Sequence, residues 1–366
     1  MTIGIGGAGS RLAAKLDPQA TLVNVSETEL NKVEGNGERI LASVHAAHGQ
    51  FRGSRKNRDI GHDSYQSVRR QLLSLIRGNK VFCSSGGGTG NGITSGILED
   101  IAEINEVSEQ DKTFFGIILP YPKLEPIEFV ENTVQFLSGP LSKAIDVGNT
   151  GNVVLFSNRL KFEEEVSEEN YNNLLVESLK VLLSIPDKND EYKLLDGHID
   201  HEDFALHLSK PYFNHFCYFD YDPEKDFEKQ LKSHYNPYLL LPDEPIEAMF
   251  LLEIPEGGDP TCFYSILRYF HGLDVAPVYS VVENPNLNEP YITVSLLYSR
   301  MPDDLVSDFN SISQKHAYAK VQKTVEQFRE LEKLDVNMER EARKVVKEKG
   351  SMENDVLDTL RRIGKL

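Results

Sequence analysis

The sequence predicts an α/β protein with four parts. A Rossmann-like parallel sheet comes first, and a long central helix, a smaller α+β domain and a helical C-terminal extension follow it. Three observations predict this arrangement. Short apolar segments alternate with helical patterns up to about residue 160, one amphipathic segment spans residues 167–185, and three further strand-like segments lie around a single helix after that. Repeated strand–helix units build parallel sheets with helices on both faces.

The domain boundaries are placed where these patterns change. Residues 1–166 are the predicted sheet domain, 167–204 the central helix and an acidic loop, 205–300 the α+β domain, and 301–366 the helical arm and tail. A chain of 366 residues is long enough for two or three domains.

The predicted strands are short apolar runs that end at turn residues. In the first part they are TIGIGG (2–7), ATLVNVSE (20–27), KVFCSS (80–85), KTFFGIILP (112–120) and GNVVLFS (151–157). In the α+β part they are EAMFLLEIPE (247–256), PVYSVVEN (277–284) and PYITVSLLYS (290–299). Helices are predicted over 64–78 with a stop at Gly78, from Ser167 as N-cap, and over 261–272 with Gly272 closing the helix.

Composition and charge exclude several classes of protein. The net charge of −18 argues against broad binding to nucleic acid or to anionic membranes. No apolar stretch is long enough for a transmembrane helix, and the N-terminus lacks the pattern of a signal peptide. The 3 cysteines are widely spaced, as suits a reducing compartment. We therefore expect a cytoplasmic protein that makes no direct contact with nucleic acid.

Two glycine-rich turns stand between a predicted strand and a predicted helix. The first is GIGGAGS at residues 4–10, and the second is GGGTGNG at residues 86–92. Glycine at this density carries an entropic cost on folding, so the turns indicate a need for bare backbone. The free N–H groups and the dipole at a helix start favour an anion, and glycine lets the backbone approach phosphate oxygens closely. Both turns are therefore candidate phosphate sites.

The first turn alone is open to two interpretations, a dinucleotide-binding turn and a turn with a purely structural role. Gly4, Gly6 and Gly9 satisfy the GxGxxG pattern, and Glu27 ends the next strand, as in dinucleotide-binding folds. The turn therefore also fits an NAD(P)-binding oxidoreductase, or a tight turn with a purely structural role. A dinucleotide-binding fold has no need of the second turn, and no GxxxxGK[ST] motif is present, which argues against a P-loop NTPase.

The strand, the GGGTGNG turn and the following helix, with a second glycine turn at the first strand, resemble the tubulin/FtsZ family over roughly residues 1–300. The resemblance implies a GTP-binding and GTP-hydrolysing cytoskeletal protein that uses Mg²⁺ and polymerises head-to-tail. It also implies which residues hold the phosphates of GTP or GDP. They are Gly6, Gly7, Gly9, Asn24, Gly86, Gly87, Gly88, Thr89, Gly90 and Asn91. The acidic residue that the family has after Asn24 is replaced in Asn24-Val25-Ser26.

The resemblance extends to the sugar and the base. Glu125 follows Pro120 much as the ribose-binding glutamate of the family follows a proline, one residue late. The stretch VVLFSNRL suggests Asn158 or Ser157 near the base and retains Arg159. In the central helix, Asn172 would face the guanine edge, because an amide both donates and accepts hydrogen bonds. The aromatic residue of the family is Glu168 here, so Tyr171 is an alternative stacking residue, and a solvated polar role for Asn172 stays open.

The family completes its active site with acidic residues from the next subunit of a filament, and such a head-to-tail interface builds open filaments. The corresponding loop is LLDGHIDHEDFA, in which the resemblance implies Asp200 and Asp203 as the catalytic pair, with Glu202 third. An ordinary acidic loop is the alternative. His198, His201 and His207 match no zinc-binding spacing, so no protein metal site is predicted and solvated loop histidines are expected.

The remaining segments concern packing and partners. The aromatic run PYFNHFCYFDY (211–221) lacks interleaved basic residues, so domain packing is expected rather than base stacking. In the arm, an apolar stripe from Val321 to Leu334 is expected to pack on the protein body or between filaments. Basic residues follow, from Arg340 to Lys349 and from Arg361 to Lys365. They are a solvated helix face or a tail that a DNA-bound adaptor recognises.

This arm decides which branch of the family the sequence favours. Long helical C-termini with charged tails resemble the plasmid- and phage-encoded DNA-segregation branch, so that role is the first prediction. A cell-division or cell-shape protein of archaeal or bacterial type is the alternative, as is a scaffold that has lost GTPase activity.

Overall fold

The computed structural model describes residues 1–42 and 53–301, together with Leu305, Phe309 and Ile312. The chain divides into two compact units, Met1–Ile312 and Ser313–Leu366. All described elements belong to the first unit, because no residue of the second lies within the described part of the chain. The predicted apolar stripe from Val321 to Leu334 and the basic tail residues fall outside it.

The N-terminal part is a succession of strands and helices. Its strands are β1 (Thr2–Ile5), β2 (Thr21–Asn24), β3 (Arg39–Leu41), β4 (Lys80–Ser84), β5 (Phe114–Leu119) and β6 (Val153–Ser157). Its helices are α1 (Gly6–Leu16), α2 (Glu27–Lys32), α3 (Arg58–Leu75), α4 (Gly88–Glu103), α5 (Ile127–Phe136), α6 (Ser142–Asp146) and α7 (Arg159–Glu163).

The central part is α8 (Glu168–Leu183), α9 (Ile185–Glu191), β7 (Lys193–Gly197) and α10 (His201–Leu208). The Ser167 hydroxyl accepts a hydrogen bond from the Asn170 N–H, which confirms the predicted start of the long helix. The C-terminal part is β8 (Phe213–Asp220), α11 (Phe227–Ser233), β9 (Glu247–Ile254), α12 (Phe263–Gly272), β10 (Val278–Glu283) and β11 (Tyr291–Tyr298).

One sheet of 11 strands runs through the unit, in the order β3-β2-β1-β4-β5-β6-β8-β11-β9-β10-β7. The first six strands are parallel neighbours, as the sequence predicts. Within the sheet, the two halves join where Val153 of β6 pairs with Phe213 of β8, and an isolated bridge links Phe156 of β6 to Leu239. In the second half, β11 is antiparallel to both β8 and β9, and β10 is parallel to β9 and antiparallel to β7.

The sheet is covered on both faces, because successive side chains of a strand point to opposite sides. Val81 and Cys83 of β4 pack in one apolar cluster with α3, α4 and α5. Phe82, between them, packs in the other cluster with α1 and α8. A third cluster fills the second half and contains Phe219 of the aromatic run, while Phe216 lies in the second cluster; both are buried, in agreement with a packing role.

The sequence prediction misses several elements. The stretch after α8 is not a plain polar loop but contains α9, β7 and α10. Strands β3 and β8 and helix α11 are likewise missed. Helix α12 does end at Gly272, but the residue in the left-handed region is Asp274, with φ 57°. Gly78, by contrast, has φ 64° just past α3, as its predicted stop role requires. No helix in the described part of the chain could span a membrane.

Candidate functional site

The candidate site lies where the order of the strands reverses. Strands β2 and β3 continue from β1 to one side, and β4, β5 and β6 continue to the other. Because β1 and β4 are parallel neighbours, α1 and α4 both begin at the same edge of the sheet. Ligands of open α/β sheets bind at such a switch point, beyond the carboxyl ends of the strands.

The starts of α1 and α4 contact each other. Gly6 has φ 73°, and a Cβ atom built on it would lie 2.7 Å from the backbone N of Gly90. Only glycine fits this position without strain. The N-cap residues, Ile5 and Gly87, make no side-chain cap hydrogen bond. The first N–H groups of both helices therefore lack a helical partner or a side-chain cap, and two positive dipole ends meet at one place.

A cavity of about 250 Å³ lies beside these helix starts. Gly86 and Gly87 form part of its wall, as do Glu125, Asn158 and Asn172. The structure therefore brings together residues that the sequence assigns to the phosphate, the sugar and the base. Arg11 and Lys161 are the cations on this wall, and Glu125 and Glu168 are its carboxylates.

Other glycine-turn residues serve the backbone and the packing of the turns. A Cβ on Gly9 would lie 2.2 Å from the Phe82 carbonyl oxygen, so Gly9 lets α1 approach β4. Gly88, Thr89, Gly90 and Asn91 form the buried first turn of α4. The Thr89 hydroxyl donates to the Ser54 hydroxyl at 3.1 Å.

The Asn91 side chain has a structural role. Its amide nitrogen donates to the carbonyl oxygens of Ser85 at 2.5 Å and Asn132 at 2.8 Å, and its amide oxygen accepts from the Ser95 hydroxyl. Asn91 is fully buried. These bonds hold the second glycine turn in shape, so the Asn91 side chain fixes the geometry of this turn rather than reaching into the cavity.

Glu125 and Asn158 form a hydrogen-bonded pair at the rim of β5 and β6. One Glu125 oxygen accepts from the Tyr121 backbone N–H at 2.5 Å and from the Asn158 amide at 3.1 Å. Burial raises the pKa of the Glu125 carboxyl above its usual range, and these two donors oppose that shift. A half-desolvated carboxylate with donors on one oxygen suits the acceptance of hydroxyl hydrogen bonds from a sugar.

The central helix contributes the far wall of the cavity. Asn172 is 5% exposed and Tyr171 is 2% exposed, so Asn172 is not a solvated helix residue. The Tyr171 hydroxyl donates to the Ser157 carbonyl oxygen, and its ring packs edge-on against Tyr238. Arg159 does not line the cavity; its Nε lies 3.8 Å from a Glu163 oxygen. The Ser157 hydroxyl accepts from the Arg159 N–H at 3.2 Å, which leaves Asn158 as the polar side chain facing the cavity.

Glu29, a residue that the sequence analysis missed, stands next to the first glycine turn. Asn24 is 1% exposed, and its amide donates to a Glu29 oxygen at 2.9 Å while its oxygen accepts from the Ser26 N–H. The same Glu29 oxygen lies 3.4 Å from a Cβ built on Gly7. Asn24 thus positions a carboxylate over the glycine turn. The Ser26-x-x-Glu29 spacing of a capping box was the available signal.

The acidic loop is the start of α10. Asp200 accepts from the Asp203 backbone N–H at 2.7 Å, and Asp203 accepts from the Asp200 N–H at 3.4 Å, which completes a capping box. The Asp203 N–H holds the pKa of the Asp200 carboxyl below its usual range. Glu202 is exposed in the first turn, and none of these three residues lines the cavity.

The predicted loop histidines do not share one environment. His198 and His201 are exposed, and His201 lies 3.4 Å from an Asp190 oxygen. His207 is instead 3% exposed, which corrects the prediction of a solvated residue. Its Nε2 is hydrogen-bonded to the Ser295 hydroxyl at 2.8 Å, and burial lowers the pKa of His207 to about 3. His198 does lie close to Asp200 and Asp203, but the capping box accounts for both carboxylates.

The fold is that of the tubulin/FtsZ proteins, which confirms the fold class predicted from the two glycine turns. A CetZ from Methanosaeta thermophila has a TM-score of 0.65 at 15% identity, with 93% of this chain and 98% of that chain covered. A protofilament of Bacillus thuringiensis TubZ in its GTPγS form has a TM-score of 0.70 at 14% identity, covering 88% and 93%.

An FtsZ from M. jannaschii has a TM-score of 0.58 at 16% identity, covering 81% of this chain and 87% of that chain. No model of a known protein family matches the sequence, and no curated protein does. The similarity thus lies in the three-dimensional fold and spans nearly the whole length of these proteins, while almost all of the sequence differs.

Proposed function

We propose that this chain is a divergent member of the tubulin/FtsZ superfamily that binds and hydrolyses GTP and polymerises head-to-tail into filaments. One observation carries the proposal. Two uncapped helix N-termini, both rich in glycine, contact each other at the strand-order reversal beside a cavity lined by polar groups of β4, α7, α8 and two loops. Such an arrangement suits a chain of phosphates better than a single anion.

The residues present fit a guanine nucleotide. Phosphate oxygens would accept from the N–H groups at the starts of α1 and α4, where glycine leaves room for them. The ribose hydroxyls would donate to Glu125, and the base would lie against α8, where Asn172 can both donate and accept. Mg²⁺ prefers oxygen ligands, and it would neutralise phosphate charge beside Glu29, the carboxylate nearest Gly7.

Turnover is proposed to need a second copy of the chain. Among the described residues of the cavity wall, the two carboxylates are proposed for other roles, Glu125 as acceptor from the ribose hydroxyls and Glu168 as the partner of Arg11, so neither is assigned as the general base. We infer that Asp200 and Asp203 of the next subunit orient the attacking water. Solved protofilaments of TubZ and of a CetZ from Haloferax volcanii carry GTPγS, and this supports both the nucleotide and the self-association.

The cellular role stays a prediction. Both a TubZ and a CetZ are similar in fold at comparable TM-scores, so fold similarity does not favour segregation over division or shape. The preference for DNA segregation, with a DNA-bound adaptor on the C-terminal tail, rests on residues outside the described part of the chain.

An NAD(P)-binding protein is the competing function, and the strand order 3-2-1-4-5-6 of the first half is also that of dinucleotide-binding folds. Glu27, its expected ribose ligand, is exposed in the first turn of α2. An NAD(P)-binding function does not explain why the glycine-rich start of α4 contacts the start of α1. Binding of GTP without binding of NAD(P) separates the two.

The rate of GTP hydrolysis per molecule, measured against protein concentration with pelleting of the same samples, tests the proposal. We expect a rate near zero below a threshold concentration and a rise as pelletable polymer forms. A rate per molecule that is independent of concentration would show a self-contained site. Tight GTP binding without turnover would leave a nucleotide-dependent scaffold, and NAD(P) binding without GTP binding would overturn the proposal.

A further inference from the structure

A second, larger cavity adjoins the cavity beside the helix starts. The second cavity has a volume of about 710 Å³ and lies between α1, α8 and the segment after α2. Arg11, Glu168 and Asn172 belong to the walls of both cavities. Ligand sites of small molecules have volumes of about 300–1,000 Å³, so the first cavity at about 250 Å³ is small for a nucleoside triphosphate. The two together lie within that range.

An ion pair stands at the boundary between the two cavities. An Arg11 guanidinium nitrogen contacts a Glu168 carboxylate oxygen, which joins α1 to α8. The other terminal nitrogen of Arg11 lies 3.4 Å from a Cβ built on Gly7, so the guanidinium already stands over the first glycine turn. Arg11 is therefore within reach of two anions, the Glu168 carboxylate and a phosphate placed at the turn.

The present partner of Arg11 is easily replaced. The two side chains are 44% and 49% exposed, and exposed ion pairs contribute only about 0.2–1 kcal/mol. A guanidinium binds a phosphate through two parallel charge-assisted hydrogen bonds, which are stronger than the bonds between neutral groups. A carboxylate left beside a triphosphate would repel it, whereas a half-exposed Glu168 can turn toward solvent.

We propose that Arg11 is a phosphate-binding residue that is paired with Glu168 in the absence of nucleotide. Nucleotide binding breaks the Arg11–Glu168 ion pair, and the Arg11 guanidinium then donates to a phosphate oxygen. This inference rests on the proposed function. It assigns to Glu168, which stands where the family has an aromatic residue, the role of a competing anion that weakens nucleotide binding.

The first test compares Glu168→Gln with Glu177→Gln. Both remove one negative charge from α8, and Glu177 is exposed and lines neither cavity. Affinities for GTP, GDP and guanosine are measured by calorimetry below the polymerisation threshold. We expect Glu168→Gln to tighten GTP binding about fivefold, the equivalent of an exposed ion pair, and Glu177→Gln to change it less than about twofold. Guanosine, without phosphates, should bind both variants as it binds the wild type.

The second test removes the cation. Arg11→Gln should weaken GTP binding about tenfold, leave guanosine binding unchanged, and cancel the gain from Glu168→Gln when the two are combined. Arg11→Lys, which retains the charge, should restore part of the affinity. Melting curves of each variant check that the fold is intact.

Three outcomes would contradict either the proposed function or the proposed exchange of Arg11 partners. If wild-type protein binds no guanine nucleotide, the proposed function fails. If wild-type protein binds GTP but Glu168→Gln behaves like Glu177→Gln, or tightens guanosine binding equally, only the exchange of partners fails. If Arg11→Gln weakens GTP and guanosine binding alike, Arg11 contacts the base or the sugar and not a phosphate.

Discussion

The cleft at the two glycine helix starts and the acidic turn before α10 are built from different parts of the polypeptide. At the cleft, backbone N–H groups at two uncapped helix starts are the chemical feature, and the glycines exist to expose them. At the acidic turn, side chains are the chemical feature, and Asp200 and Asp203 already cap α10. A site made of backbone N–H groups strongly restricts the residue types at its positions, here to glycine. A site made of carboxylate side chains is ambiguous, because the same carboxylates can cap a helix or act in catalysis.

Replacing Gly6 should disrupt the backbone site most strongly. Gly6→Ala forces a side chain into the left-handed region, which costs about 1–2 kcal/mol, and places its Cβ 2.7 Å from the Gly90 nitrogen. The starts of α1 and α4 must then separate. We expect a decrease of about 2 kcal/mol or more in the free energy of unfolding. Urea unfolding measures it, and calorimetry should show at least about a tenfold loss of GTP affinity.

Gly7→Ala is the matched control in the same turn. Its Cβ would have only the flexible ends of Arg11 and Glu29 as neighbours, both at 3.4 Å, and its φ is not in the left-handed region. We expect a change in stability below about 0.5 kcal/mol. Equal damage from the two substitutions would mean that the backbone shape at Gly6 is not what the turn requires.

The next effect concerns whether the acidic turn is more than a helix cap. In the double variant Asp200→Asn with Asp203→Asn, both side-chain oxygens can still accept backbone hydrogen bonds, but the negative charges are gone. If the carboxylates act on the nucleotide of a neighbour, GTP turnover above the polymerisation threshold should fall about 100-fold or more, with GTP binding and melting temperature nearly unchanged.

The double variant Asp200→Ala with Asp203→Ala and the single variant Glu202→Gln complete the comparison. The alanine variant removes both the cap and the charge, so it should lower turnover and melting temperature together. Glu202→Gln makes the same charge change next to Asp203 and should retain most of the turnover. Full turnover in the asparagine variant would reduce Asp200 and Asp203 to a capping box.

The sequence predicts the backbone site better than the side-chain site because glycine spacing is a local signal. Other local signals, apolar runs and the N-cap Ser167, likewise predict the strands β1, β2, β4, β5 and β6 and the start of α8. Strand β7 does not, because it is an exposed edge strand that exists only by pairing with β10, far away in the sequence. Glu29 is also missed, since only the folding of α2 onto the first turn brings its carboxylate to Gly7.

Burial is the other property that local sequence does not reveal. His201 and His207 lie six positions apart in one acidic stretch, yet the first is exposed and the second belongs to the core. The difference arises from β11, where the Ser295 hydroxyl is hydrogen-bonded to His207. The same hydroxyl donates to the Asn214 side-chain oxygen, and the Asn214 amide donates to the Asn152 side-chain oxygen. This buried network joins α10 to both halves of the sheet, so the acidic turn is fixed to the junction between them.

The buried His207 also predicts a modest dependence of folding stability on pH. Burial lowers the pKa of His207 to about 3, so below its ordinary value of 6.5 the unfolded chain binds a proton that the folded chain does not. Stability contributed by the neutral histidine is therefore present above pH 6.5 and is lost as the pH falls toward 3. Between pH 7 and 5.5 this loss is about 1.2 kcal/mol. Burial also lowers the pKa of His215, to about 4, which adds a loss of the same sign.

Urea unfolding of wild-type protein and His207→Gln at pH 7 and 5.5 measures the contribution. The variant is expected to be less stable at pH 7, because the glutamine fills the site imperfectly, but its loss between the two pH values should be smaller than that of the wild type by about 1.2 kcal/mol. His271→Gln, on the exposed face of α12, controls for the loss of a histidine outside the core. If His207→Gln has the same pH dependence as the wild type, His207 titrates equally in the folded and unfolded chains, and α10 is not held at the sheet junction by a buried neutral imidazole.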